Sequence, residues 1–267
     1  MSIACIMVSL DSGRSAGGRV RLAADLARRF ESTLIGVAAR KIPGLGPVED
    51  LDAAQVAYEE ARGRLDDDLA RVRAVFDDGV GDGLRTGWRH AEADATAHLV
   101  ARARGADLLV VGREPEGCAM AVDPGASLME AGRPLLVVPP GVDGLRAARI
   151  VIAWKDAPEA RRAVSAALPF LRRADQVSVV AVGRDARGEG AEDVSELLAR
   201  HGSPVTTHLL NAPAAVAPDE LLRFARRAEA DLVVMGGYGR SRLRELLFGG
   251  TTRAMLRASP LCCLMSH

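Results

Sequence analysis

Ala101-Arg102-Ala103-Arg104-Gly105-Ala106-Asp107-Leu108-Leu109-Val110-Val111-Gly112 returns as Ala225-Arg226-Arg227-Ala228-Glu229-Ala230-Asp231-Leu232-Val233-Val234-Met235-Gly236, with seven of the twelve positions identical. Each copy ends in a short aliphatic strand, and each is followed by a Pro-led apolar run, Pro134-Leu135-Leu136-Val137-Val138 and Pro260-Leu261-Cys262-Cys263-Leu264. Both halves open on an apolar strand, 3–10 and 150–154, with an amphipathic helix after it. Two copies of one domain, 1–143 and 144–267, account for this pattern. They join at Pro139-Pro140-Gly141-Val142-Asp143-Gly144, where Pro and Gly punctuate the chain. A length of 267 residues suits two small domains, at about 100–200 residues for a typical one.

The strands 108–111, 177–182 and 232–235 are nearly continuous Val, Leu and Met, as expected of strands covered on both faces of a parallel sheet. Between them runs helical periodicity. Ala160, Val164, Ala167, Leu168 and Leu171 share one helix face. Leu51, Ala54, Tyr58, Ala61, Leu65, Leu69, Val72 and Phe76 step by three or four residues; the run is too short for a sustained coiled coil and is read as one long helix covering a sheet face. Asp66-Asp67-Asp68 then belong to its solvated side. The expected fold is α/β: two tandem three-layer α/β/α sandwiches, each with a five-stranded parallel sheet. Ligands in such sheets sit beyond the carboxyl ends of strands at the switch point, which directs attention to the residues after Trp154, Val182 and Met235.

Composition narrows the function classes. Thirty-five basic residues balance 35 acidic ones, and aromatics make up 3%. That balance lacks the electrostatic attraction of nucleic-acid binders and the aromatic platform of single-strand binders, so no nucleic-acid partner is expected. No run approaches the ~18–20 apolar residues of a membrane span, and the segment 1–12 lacks the basic start of a signal peptide, so a cytoplasmic protein without a membrane partner is expected. Cys5, Cys118, Cys262 and Cys263 form no CxxC, and the five histidines show no metal-ligand or triad spacing. No metal site is expected.

The stretch after 232–235 carries the candidate chemistry: Gly236-Gly237-Tyr238-Gly239-Arg240-Ser241-Arg242-Leu243-Arg244-Glu245-Leu246-Leu247-Phe248-Gly249-Gly250-Thr251-Thr252, then a helix over Thr251–Ala258. Glycines after a strand let backbone N–H groups approach a phosphate, and a following helix N-terminus adds its positive dipole end. Thr251 and Thr252 offer hydroxyls, and Arg240 a charge-assisted contact. The same residues also suit a capped turn, and spacing alone does not choose between the two. No GxxxxGK[ST], GxGxxG or GxSxG motif is present.

Residues 234–252 together with Ser259-Pro260-Leu261 resemble the universal stress protein family, whose nucleotide loop reads Gly-x2-Gly-x9-Gly-[Ser/Thr] between the fourth strand and the last helix. Both halves included, the resemblance covers nearly the whole chain and points to the tandem type. It implies an adenine nucleotide alpha hydrolase-like fold and an adenine nucleotide as ligand: ATP, with or without Mg2+, held by the second half. The residues it implicates are Ala153, Trp154, Lys155, Asp156 and Val182, then Met235, Gly236, Gly239, Arg240 and Ser241, and finally Gly249, Gly250, Thr251 and Thr252. Within this set Met235 and Gly236 border the base and ribose, while Gly239, Gly249 and the Thr251 region hold phosphates. The chain departs from the pattern at Gly250, where the family has Ser or Thr, and at Lys155, where it has Asp.

The first half keeps Asp11 after its first strand but follows Gly112 with Arg113-Glu114-Pro115-Glu116-Gly117-Cys118. Pro115 lacks an N–H, and two glutamates repel phosphate, so this half reads as a degenerate copy. The resemblance also implies that the halves pair through Leu135–Val138 and 261–264, because an aliphatic edge strand invites pairing, and that whole chains form a homodimer. No catalytic residue is expected: nothing supplies an evident base or nucleophile, although a slow ATPase stays open on sequence alone. An ATP-independent interaction scaffold is the alternative, favoured by the Gly250 and Lys155 departures.

Overall fold

A computed structural model describes residues 2–42, 51–113, 118, 120–239 and 250–267. The first half runs β1 (Cys5–Ser9), α1 (Ala16–Phe30), β2 (Thr33–Ala39), α2 (Leu51–Val80), β3 (Thr86–Ala91), α3 (Ala95–Arg102), β4 (Leu108–Gly112), α4 (Pro124–Glu130) and β5 (Leu135–Val138). The second repeats the order as β6 (Arg149–Trp154), α5 (Pro158–Leu171), β7 (Gln176–Val182), α6 (Ala191–Arg200), β8 (Val205–Leu210), α7 (Ala217–Arg227), β9 (Leu232–Gly236), α8 (Thr251–Ala258) and β10 (Cys262–Ser266).

Strand order is β3-β2-β1-β4-β5-β10-β9-β6-β7-β8, one ten-stranded sheet. Within each half all neighbours are parallel. The halves meet antiparallel through β5 and β10, with Val137 opposite Cys263, Leu136 opposite Leu264 and Leu135 opposite Met265. The two sandwiches therefore share a continuous middle layer.

Strand alternation divides the core in two. Ile6, Val8, Leu136, Ile152, Val179 and Leu264 face α1, α2, α5 and α6; Met7, Leu109, Val137, Val180, Met235 and Cys263 face α3, α4, α7 and α8. Both faces of every central strand are covered, and this is why those strands carry almost no polar residue. The repeated Asp has a plain structural role. The Asp107 carboxylate accepts from the backbone N–H of Ala4 at 2.8 Å and of Cys5 at 3.0 Å, and that of Asp231 from Ala148 at 3.0 Å and Arg149 at 3.2 Å. In each half it satisfies the donors at the start of the first strand, fixing β1 against β4 and β6 against β9.

The long helix departs from its sequence reading in two ways. Leu65, Val72, Phe76 and Val80 are buried against the sheet, but Tyr58 is exposed and Ala54 and Ala61 are only half-buried, so the helix covers the sheet only with its C-terminal half. Asp68 is also not solvated. It is half-buried and paired with Arg40, just beyond β2, and with Arg71 at 2.9 Å. Asp66 and Asp67 are exposed as expected. No helix of the described residues is long and apolar enough to cross a membrane.

Candidate nucleotide site

In the second half β6 lies between β7 and β9, so the chain leaves β6 in one direction and returns on its other side at β9. The strand ends splay there, and a cleft of about 740 Å3 opens beyond them. The end of β6 contributes Ala153 and Trp154, and the turn after it Lys155 and Asp156. Val182 stands at the end of β7, and Met235 and Gly236 at the end of β9. Gly239 follows in the turn, and Thr251 and Thr252 open α8. Gly250 is the N-cap of α8 and makes no side-chain cap bond, so the first N–H groups of that helix have no capping oxygen from this residue. Arg240, Ser241 and Gly249 lie outside the described residues, as do Glu114, Pro115, Glu116 and Gly117 of the first half.

Several of these groups have structural partners. The Trp154 indole Nε1 donates to the Glu189 carbonyl at 2.6 Å, which locks the ring under the cleft. The Asp156 N–H donates to Glu189 Oε2 at 2.8 Å, and its carboxylate pairs with Arg161. Thr252 is buried, and its Oγ1 accepts from the Tyr238 N–H at 3.2 Å. That hydroxyl thus holds the turn rather than standing free for a ligand. Thr251 is only half-buried and lines the cleft.

The turn itself is tightly built. A Cβ on Gly236 would lie 2.6 Å from the backbone N of Ala160 and 2.9 Å from the carbonyl carbon of Glu159, so β9 passes the first turn of α5 too closely for any side chain. Tyr238 adopts a left-handed backbone with φ of 50°, a conformation that non-glycine residues keep only where the surroundings enforce it. Around Gly239 the neighbour is a side chain: Glu159 Oε1 lies 2.6 Å from where a Cβ would stand.

Sequence reasoning missed five charged cleft residues: Glu159, Arg161, Arg184, Asp185 and Glu189. The strand-end rule pointed at the residues after Val182, where Arg184 and Asp185 lie. Glu159 sits in the first turn of α5, where a carboxylate is favoured by the helix dipole, and gave no separate signal. Lys155 and Arg184 make no hydrogen bond or ion pair among the described residues, so both are available to an anion. The cleft thus joins an apolar floor of Ala153, Val182 and Met235 to two cations unpaired among the described residues and to the first turn of α8. Those cations suit a nucleoside phosphate; the carboxylates of Glu159, Asp185 and Glu189, which line the same cleft, are set against it. Among the described residues no three His, Cys, Asp or Glu are grouped to hold a metal ion.

At the matching place in the first half, Asp11 is buried and committed. It pairs with Arg19 at 2.5 Å, with side chains 3% and 1% exposed, and accepts from the Gly13 N–H at 2.8 Å. Arg19 Nε also donates to the Ser9 carbonyl at 3.0 Å. A carboxylate held in this way is not free to recognise a ligand.

Residues 183–267 match the family model described as Universal stress protein family. No curated protein matches the chain in sequence. Among solved structures, a universal stress protein from Archaeoglobus fulgidus is similar at a TM-score of 0.72 and 14% identity, covering 97% of this chain and 94% of that one. A functionally unknown protein from Pseudomonas aeruginosa PAO1 is similar at a TM-score of 0.55 and 18% identity, covering 98% and 92%. At such identities the likeness is one of fold. The family match thus covers residues 183–267, and over its whole length the chain shares the fold of the similar Archaeoglobus fulgidus protein.

Proposed function

We propose that the second half is an ATP-binding stress-response module that binds its nucleotide without consuming it. One observation carries this reading. The described residues that the loop motif implicates meet at a single cleft beyond β6, β7 and β9, lined also by the start of α8 and by Lys155 and Arg184, which pair with no group among the described residues. Ala153, Val182 and Met235 suit the face of a base, while Gly239, Thr251 and the two cations suit the phosphates. Mg2+ enters this reading as the companion of the nucleotide's phosphates. The division into domains 1–143 and 144–267, a homodimer of chains and a cytoplasmic location belong to the same proposal.

Mass spectrometry of nucleotide retained by the purified protein, followed by calorimetry with ATP, tests it. The expected result is one ATP per chain, weakened on the order of tenfold by Lys155→Ala through loss of one charge-assisted contact. A second reading, an ATP-independent interaction scaffold, is favoured by Glu159, whose carboxylate stands at the phosphate approach. Absence of binding at millimolar ATP by a folded protein supports that reading and sinks the first.

A further inference from the structure

The glycine turn of the second half is built against the first half. Gly237 rests directly on Leu128 of α4: a Cβ on Gly237 would overlap Leu128 Cδ2. One residue on, the Tyr238 ring reaches the N-terminal turn of the same helix, where a Cβ on Gly125 would come within 2.8 Å of Tyr238 Oη. Two glycines on opposite sides of the seam thus each lie where a Cβ would press on a side chain from the other half. α4 is held firmly enough to serve as a wall. The Asp123 side chain caps it by accepting from the Ala126 N–H at 2.8 Å, the Asp123 N–H donates to Thr96 Oγ1 of α3 at 2.9 Å, and Leu128 is buried.

On its other side the turn is fixed by its own half. The Gly237 N–H donates to the Ser266 carbonyl at 2.8 Å, the Tyr238 N–H to Thr252 Oγ1 at 3.2 Å, and His267 Nδ1 lies 3.1 Å from the Gly237 carbonyl. Tyr238 keeps its left-handed backbone between these two walls, and Gly239 takes its place in the cleft from that turn. The equivalent position of the first half crosses the seam differently. Arg113, which follows Gly112 as Gly237 follows Gly236, donates from Nη1 to the Ser259 carbonyl at 2.9 Å. Close packing of a bare backbone on the opposite helix is built here for the turn of the second half.

We propose that α4 of the first half positions the nucleotide turn of the second, so that the binding site is assembled from both halves, with Leu128 and Gly125 as its positioning residues. This rests on the nucleotide reading above. It assigns the first half a task that its own loop does not require: it holds 236–239 in the shape that presents Gly239 to the cleft. By linkage, nucleotide in the cleft tightens the contact between the halves by the same factor as the contact tightens the nucleotide.

The test uses the full-length chain and the fit between Leu128 and Gly237. Leu128→Ala removes the wall, and Gly237→Ala drives a methyl into it; each alone is expected to weaken ATP on the order of tenfold, within the usual range of site-to-site coupling. The double variant Leu128→Ala/Gly237→Ala places the new methyl in the vacated space, and its affinity is expected to recover towards the parent value. Thermal unfolding of each variant, run alongside, separates loss of the fold from loss of the turn. Amide exchange at Gly237 and Tyr238 is read on nucleotide-free protein, where it is expected to rise in both single variants and fall back in the double. A parent protein that binds no ATP but shows this exchange pattern removes the nucleotide reading and keeps the positioning of the turn. Single variants that leave exchange unchanged, that weaken ATP without rescue in the double, or that raise exchange at full ATP affinity overturn the inference.

Discussion

The Glu159 carboxylate faces Gly239, with Oε1 2.6 Å from the point that a Cβ on that glycine would occupy. Glu159 comes from the first turn of α5 and Gly239 from the turn after β9, so the contact closes the cleft between the two elements that flank its phosphate end. A negative charge there opposes an incoming phosphate, while the two unpaired cations attract it. The balance between them sets the affinity.

Glu159→Gln keeps the shape of this contact and removes its charge. A unit charge about 4 Å away is worth about 1 kcal/mol in water and more where solvent is partly excluded, so ATP is expected to bind about tenfold tighter. Calorimetry at two salt concentrations checks this; an unchanged dissociation constant would show that no phosphate passes Gly239.

The glycines of the turn are expected to respond unequally to a methyl group. At Gly236 the obstacle is the backbone of α5, which cannot move aside, and Gly236→Ala is expected to cost about 1–3 kcal/mol of stability as overpacking. At Gly239 the obstacle is the end of the Glu159 side chain, which turns away into solvent. Gly239→Ala is expected to unfold at the parent urea midpoint and to show its effect, if ATP binds there, in affinity alone. Equal destabilisation by the two changes would contradict the geometry.

Arg19→Ala tests the buried pair of the first half. It leaves Asp11 charged and enclosed, with the Gly13 N–H still donating to it, and a loss of about 3–5 kcal/mol is expected in urea unfolding. Replacing both, as Arg19→Met/Asp11→Asn, is expected to recover most of it, since the pair owes its effect to mutual compensation. Loss of less than about 1 kcal/mol in the single variant would place the carboxylate in contact with solvent.

The paired cysteines of β10 give the protein an alkaline limit. Burial pushes the Cys262 thiol from 9.0 up to about 12, helped by its neighbour Cys263, and burial pushes Cys263 up to about 11. An unfolded thiol ionises near 9, so between about pH 9 and 12 the native state holds more protons than the unfolded one, and stability falls as pH rises. Below 9 both states are protonated, and the contribution is flat. Urea midpoints across that range check the slope, which is expected to flatten in Cys262→Ala/Cys263→Ala. Cys5 and Cys118 are both half-exposed, and since burial and the Asp107 charge push the Cys5 thiol up, Cys118 is expected to react first with a thiol reagent at neutral pH.

The fold was readable because its signals are local. Aliphatic runs of strand length, the repeated Ala-Asp-Leu and the Pro-led last strands all report on a few consecutive residues. The ends of β6, β7 and β9 followed from the switch-point rule, and the glycine turn from its spacing. What stayed hidden depends on a second element whose position no local pattern encodes. Periodicity shows that Tyr58 shares a face with Leu65, but not that the sheet ends before Tyr58 reaches it. Glu159 reads as an ordinary first-turn acid until β9 is brought alongside. Gly237 reads as a turn glycine, and only its partner across the seam, Leu128, shows how closely that turn is packed.

The antiparallel pairing of β5 with β10 has a consequence for how such a chain evolves. Where two identical subunits meet about a two-fold axis, every substitution is made twice and must suit its own image. Here Leu135 faces Met265 and Val137 faces Cys263, so the two sides of the junction have already ceased to be copies. Covalent linkage releases each strand from self-complementarity while keeping its partner permanently at hand. Mutations can then accumulate on one side, answered by different ones on the other, and a divided ancestry becomes a division of labour.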